Sequence, residues 1–334
     1  MSQSPVISVL RDARLPRSYM MRALLNREVR ESISAMREAR KYVPWKIRRV
    51  LEESGVDKEL ASLPFFDFPN PDLAKLVGDI MEAEGYAEWV QGRLRWIRFS
   101  GSPPAIETMF FAEYKQVVDR TLETLPEALL RGVRPLAQLA AREESMEIYQ
   151  KAIANRSQEW IYQLMVAWAG LNRLSSNTVI VDISSARGFI ATILLRFTGC
   201  KVIFVDPFLS NLREAEKLAE AYSVRDRLET RLGRPEELHK VVPSADLVVA
   251  FGVLQQVMDP VVTLRSMRNT APAALLSQPL QDNKMFRTLS LIGYLLGQEI
   301  YPTYSQLREW ISIAGWRVIR QMKSPSYVGI LEAA

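Results

Sequence analysis

The chain has one cysteine, one histidine, no low-complexity tract and no internal repeat. Cys200 has no partner for an intramolecular disulfide, so nothing points to an oxidising compartment. No apolar run reaches the roughly 18–20 residues of a membrane span. The N-terminus lacks the apolar core and small-residue cleavage site of a signal peptide, so a cytoplasmic location is the default expectation. His239, in Glu237-Leu-His-Lys240, reads as an exposed helix residue, and no metal site is expected.

What remains is an ordinary globular composition, 48% hydrophobic and 24% charged, long enough at 334 residues for two domains. The net charge of +5 is unevenly placed. Residues 1–50 hold twelve Lys and Arg, among them Arg11, Arg14, Arg17 and Arg22, against the four acids Asp12, Glu28, Glu31 and Glu38. This basic segment is either a solvated helix face or a contact for an acidic partner or an anionic membrane surface. Met21, Leu24, Leu25, Val29, Ile33 and Met36 recur at near-helical spacing and predict a buried stripe on it.

The texture changes along the chain. Helical patterns dominate the first half and strand–helix alternation the second, which predicts a mainly helical domain over 1–155 and an α/β domain over 156–334. In the first, Asn70-Pro71 opens a helix whose apolar face is Leu73, Leu76, Val77, Ile80 and Met81; two short strands then turn at Gln91-Gly92. Helix then hairpin is the ending of a winged helix. Asp72, Asp79, Glu82 and Glu84 on that helix face only Lys75, a sign that phosphates would repel, so sequence-specific DNA binding is not expected.

In the second half, apolar runs at 178–182, 201–206, 245–251 and 273–277 read as strands, with helices after the first two, another at 304–315, and a closing strand at 327–331. This outlines a Rossmann-like, doubly wound, mostly parallel sheet, whose ligands sit beyond the carboxyl ends of the strands. The first strand ends in Val181-Asp-Ile-Ser-Ser-Ala-Arg-Gly188, an acid followed by small residues at Ser184, Ala186 and Gly188 that let the backbone approach a ligand. The second ends at Asp206, twenty-four residues after Asp182, where a carboxylate can accept hydrogen bonds from both hydroxyls of a ribose. The pattern indicates an adenosine cofactor without saying which.

Residues 178–207 resemble the first two motifs of class I S-adenosylmethionine-dependent methyltransferases, and Ala245–Pro260 resembles that family's fourth strand and following loop. With the helix–hairpin ahead and Tyr301–Trp316 behind, the chain from about residue 70 resembles the small-molecule O-methyltransferases that carry an N-terminal winged-helix dimerisation domain. The resemblance implies S-adenosyl-L-methionine as cofactor, a seven-stranded sheet with a reversed last strand, and a homodimer. It places Asp182, Ser184, Ala186 and Gly188 at the methionine end of the cofactor and Asp206 at the ribose. Arg234 stands where the family has an acid near the adenine, and Phe251 and Gly252 would lie beneath the cofactor.

Two departures stand out. Ser184 and Ala186 replace glycines, and the histidine base of the O-methyltransferases is replaced by Leu254-Gln255-Gln256. A glutamine accepts no proton at neutral pH. Gln255 and Gln256 could orient an acceptor by hydrogen bonding, or simply cap the adjoining helix. The expected substrate is a small apolar or aromatic molecule in a pocket drawn from Trp160, Tyr162, Met165, Met285, Phe286 and Tyr294. The competing readings are a catalytically silent dimeric scaffold and a different nucleotide binder; the absence of Gly-x-Gly-x-x-Gly after Asp182 counts against NAD.

Overall fold

A computed structural model describes residues 5–13, 27–97, 101–134, 156–184, 186–323 and 326–334. Its elements up to residue 169 are α1 (Pro5–Asp12), α2 (Arg27–Ser54), α3 (Val56–Ser62), α4 (Pro71–Ala83), β1 (Ala87–Val90), β2 (Arg93–Trp96), α5 (Met109–Leu122), α6 (Leu125–Arg131) and α7 (Arg156–Ala169). Alternation follows: β3 (Val179–Asp182), α8 (Phe189–Phe197), β4 (Lys201–Asp206), α9 (Leu209–Ala221), β5 (Leu228–Leu232), α10 (Leu238–Val241), β6 (Leu247–Phe251) and α11 (Pro260–Thr270). Then come β7 (Ala273–Pro279), α12 (Lys284–Leu295), α13 (Tyr304–Ile313), β8 (Trp316–Lys323) and β9 (Ser326–Ala333).

The chain forms two units, one of residues 30–152 and 281–301, the other of residues 1–29, 153–280 and 302–334. Against the division expected at 155/156, two stretches change sides. α1 buries Val6, Ile7 and Leu10 in the core of the sheet unit and is tied there by Arg11 to Glu332 (2.8 Å) and by Arg320 to the Leu10 carbonyl (2.7 Å). α12 belongs to the helical unit, where Lys284 donates to the Ala83 carbonyl and Arg287 to that of Asp79 (3.1 Å). Both cations seek carbonyls in the last turns of α4, where the helix dipole favours positive charge.

In the helical unit α4 starts as its sequence predicts, with Asn70 Oδ1 accepting from the Leu73 N–H (2.9 Å) and Pro71 in the first turn. The β1–β2 hairpin turns at Gln91 (φ 51°) and Gly92 (φ 77°) and lays Trp89 against α4 at Gly78, where a Cβ would meet the indole at 2.1 Å. The expected stripe on α2 needs correction. Met21, Leu24, Leu25, Arg14, Arg17 and Arg22 lie outside the described residues, and Ile33 is 38% exposed. Burial on α2 falls instead on Ala35, Tyr42, Val43, Ile47, Val50 and Leu51. Some of its charge is spent internally: Arg48 is buried over the Trp96 ring at 3.9 Å and paired with Glu52 (2.7 Å).

The sheet of the other unit has the order β5-β4-β3-β6-β7-β9-β8, parallel except for β9, which runs antiparallel to both neighbours. This is the seven-stranded sheet with a reversed last strand. β5 and β8, its two edges, are strands the sequence pattern does not announce. From β3 the chain goes to β4 on one side and later to β6 on the other, and the carboxyl ends at that reversal are where ligands enter doubly wound folds. Among the described residues no helix is long and apolar enough to cross a membrane.

Candidate cofactor and active site

β3 carries Asp182 to the carboxyl edge of the sheet, paired across to Phe204 on β4 and Val249 on β6. Its side chain is fully buried. Oδ1 accepts from the Ser184 N–H at 2.9 Å, while Oδ2 is buried without a hydrogen bond of normal geometry. Burial pushes this carboxyl up to about 7, offset in part by Ser184 and the Ala191 amide and reinforced by the Asp206 charge. A buried acceptor left open at a sheet edge is a place for a donor from a ligand.

The turn that follows has left-handed backbone at three successive positions, Ala186 (φ 90°), Arg187 (φ 51°) and Gly188 (φ 80°). For Ala186 and Arg187 that conformation costs roughly 1–2 kcal/mol each. Gly188 has no substitute, since a Cβ there would meet that of Ala215 on α9 at 2.2 Å. The Ser184 hydroxyl accepts from the Phe251 N–H (2.9 Å), tying this turn to the end of β6.

Asp206, at the end of β4, is nearly buried and raised to about 6 by burial, against the hydrogen bonds from Phe208 and Asn211 and the charge of Arg187. The Phe208 N–H (2.8 Å) and Asn211 Nδ2 (3.0 Å) both donate to Oδ1. Oδ2 takes no hydrogen bond from the described residues. Asn211 and Arg187 went unnoticed in the sequence, although Asn211 lies five residues past the acid in the first turn of α9. Gly233 donates to the Asp206 carbonyl (3.1 Å), so the Leu232–Pro235 segment runs beside Asp206, with Arg234 exposed at the start of a short 3-10 turn.

Beyond β6, Gly252 (φ 61°) donates to the Ser277 carbonyl at 2.8 Å. The Phe251 ring is buried in the core of the sheet unit and stacked on Tyr162, centroids 5.6 Å apart. Gln255 is 5% exposed; its Nε2 donates to the Gly252 carbonyl (2.7 Å) and its Oε1 accepts from Gln278 Nε2 (2.8 Å). Gln256 is exposed and reaches the same Gly252 carbonyl at 3.4 Å. Both glutamines thus bind the loop they belong to. Gln278 itself is wholly buried, with Oε1 unpartnered.

The other expected positions divide between the units. Trp160, Tyr162 and Met165 are on α7 in the sheet unit, where Met165 is buried in the core and Tyr162 packs on Phe251 and Phe189. Met285, Phe286 and Tyr294 are on α12 in the helical unit. There Tyr294 lies under the Arg134 guanidinium (4.5 Å) and its hydroxyl accepts from Asn70. His239 is half-buried, its Nδ1 2.8 Å from the Ser266 hydroxyl. Among the described residues no three His, Cys, Asp or Glu side chains gather to hold a metal ion.

Neither a protein-family model nor a curated protein sequence matches this chain. Solved structures do match in fold. The CurJ carbon methyltransferase superposes with a TM-score of 0.66 at 14% identity, over 98% of this chain and 99% of that one. An O-methyltransferase family 2 protein from Planctomyces limnophilus, solved with apigenin, gives 0.58 at 14% identity over 98% of each chain. The pyocyanin biosynthetic protein PhzM gives 0.52 at 11% identity, over 79% and 85%. The chain therefore shares the fold of these proteins along nearly its whole length, with the Rossmann-like sheet in one of its two units.

Proposed function

We propose that this protein binds S-adenosyl-L-methionine and transfers its methyl group to a small molecule. The observation that carries the reading is the pair of acids at the ends of β3 and β4, each leaving an oxygen open on either side of a left-handed turn that needs a glycine at Gly188. Asp182 Oδ2 fits a donor such as an ammonium group, and Asp206 Oδ2 fits a diol. When bound, the cofactor supplies a methyl group on a sulfonium, which a nucleophile displaces in line.

The chain's own contribution is alignment in a dry site, worth on the order of 7–11 kcal/mol in good intramolecular models. A general base would add about 10²–10⁴-fold, and no histidine, the base of the resembling O-methyltransferases, stands beyond β6. The acceptor therefore needs little help with its proton: an ionised oxygen, a neutral amine or an activated carbon. Gln255 and Gln256 act on it, in this reading, by fixing the Gly252 carbonyl and the loop around it. The helical unit serves as a homodimerisation module, a role supported by the exposed Phe66, Val90, Ile97 and Leu130; light scattering on the purified chain tests it.

S-adenosylhomocysteine at a hundred times its Kd should stabilise the fold by about 2.7 kcal/mol, read as a rise in melting temperature. No rise with it or with S-adenosylmethionine would leave a silent scaffold, and displacement by NAD would indicate a different nucleotide binder.

A further inference from the structure

α12 ends in a Schellman turn that carries a polar residue where an apolar one is usual. Gly297 (φ 100°) donates to the Tyr294 carbonyl (3.0 Å) and Gln298 to that of Gly293 (2.9 Å), the two bonds that define the motif. The position of Gln298 commonly holds an apolar side chain that packs back on the last turn. The glutamine takes that place. Its side chain lies over Gly293, where a Cβ would meet Oε1 at 2.6 Å, and the residue is only 4% exposed. Both Oε1 and Nε2 are buried without a hydrogen-bond partner. A buried amide unpaired at both ends costs the fold more than the apolar residue the turn prefers, so its use lies outside the fold.

The polar groups nearby are engaged with one another. Arg134 Nη1 donates to the Gln298 main-chain carbonyl (3.1 Å), and its guanidinium lies 4.5 Å over the Tyr294 ring and 3.8 Å from Glu299. The Tyr294 hydroxyl accepts from Asn70. What the Gln298 side chain lacks is one donor and one acceptor, side by side in the plane of its amide. We propose that the helical unit carries a binding site for a small neutral molecule with a cis-amide or lactam edge, read by Gln298 through paired hydrogen bonds at Oε1 and Nε2. A carboxylate would supply acceptors only and leave Oε1 unpaired, and Glu299 already offsets the nearby cation. The side chains of Arg134 and Glu299 are the members of the cluster that meet solvent, 28% and 64% exposed, so the ligand enters on their side. Every residue named belongs to the helical unit, and the inference is independent of the cofactor reading.

The test uses the full chain and 2-pyridone, a small planar lactam, with the side-chain amide signals of Gln298 followed by two-dimensional NMR. 2-Pyridone should shift those signals saturably. N-methyl-2-pyridone, which keeps the acceptor and loses the donor, should bind about tenfold more weakly or worse. This pair of probes needs no variant. Gln298→Met, apolar and of similar size, should weaken 2-pyridone by about tenfold or more, and without ligand should melt above the parent, because two unpaired groups leave the interior. A variant that melts below the parent would show an amide already satisfied within the fold, as by a buried water, and overturns the inference. So does 2-pyridone that leaves the Gln298 signals unmoved, that binds no better than its N-methyl form, or that binds parent and Gln298→Met alike. Binding of S-adenosylhomocysteine, measured beside these, bears on the cofactor reading alone.

Discussion

Two pairs of strand ends at the same edge of the sheet treat their polar groups differently. After β3 and β4, Asp182 and Asp206 are buried acids that each keep an oxygen open, and burial lifts both toward neutrality. After β6 and β7, Gln255 and Gln278 are equally buried but bonded to each other, and the Gly252 carbonyl takes the remaining amide donor. The first pair accepts a cost in the absence of ligand; the second is closed on itself except at Gln278 Oε1, which is buried without a partner.

The sharpest way to break the comparison is Asp206→Ala. It should weaken S-adenosylhomocysteine binding by on the order of 3–5 kcal/mol, because two hydroxyl bonds to a charged acceptor are lost; calorimetry giving parent-like affinity would show that the ribose acid is misplaced. Next is Asp182→Asn. A carboxyl raised from 3.8 to about 7 by burial weighs against the folded state once pH exceeds its unfolded value, progressively up to about pH 7 and fully above it. The amide, which still accepts from the Ser184 N–H, should therefore raise stability at pH 8 by on the order of 2–4 kcal/mol and leave it unchanged near pH 3.5. Urea melts at the two pH values decide this.

On the closed side, Gln255→Ala removes the acceptor of Gln278 and a donor to Gly252. It should cost about 1–3 kcal/mol of stability with cofactor affinity nearly unchanged. A loss of affinity comparable to that in Asp206→Ala would erase the distinction between the pairs. The smallest effect is expected for His239→Asn, whose ring faces Ser266: less than about a tenfold change in turnover once a substrate is in hand, against the 10²–10⁴ of a lost base.

What the sequence makes legible follows from burial. β3, β4 and β6 are apolar and β-branched because both faces of a central strand are covered, and their ends at Asp182, Asp206 and Phe251 are read directly. The edges are not. Leu228-Glu-Thr-Arg-Leu and Trp316-Arg-Val-Ile-Arg-Gln-Met-Lys carry charges that suit exposed strand edges and that hide them from a search for apolar runs. In the site, residue types gave the two acids and the small-residue turn. They could not give the tie from Ser184 to Phe251, the seat of Gly188 on Ala215, or the closure of Gln255 on Gln278, because each partner lies more than twenty residues away. The same holds for α1 and α12, whose places are decided by ion pairs and carbonyl contacts remote in sequence.

The reversed strand also bears on how the chain is made. β9, the last strand in the sequence, enters between β7 and β8 and supplies the buried Val328, Ile330 and Leu331. Glu332 beside them pairs with Arg11 and Arg317, the first from α1, 321 residues away in sequence. The sheet thus holds an open gap between β7 and β8 until the segment after β8 has been made. Such long-range closure is slow, and it leaves the bare flanks of β7 and β8 available to the wrong partner in the interval.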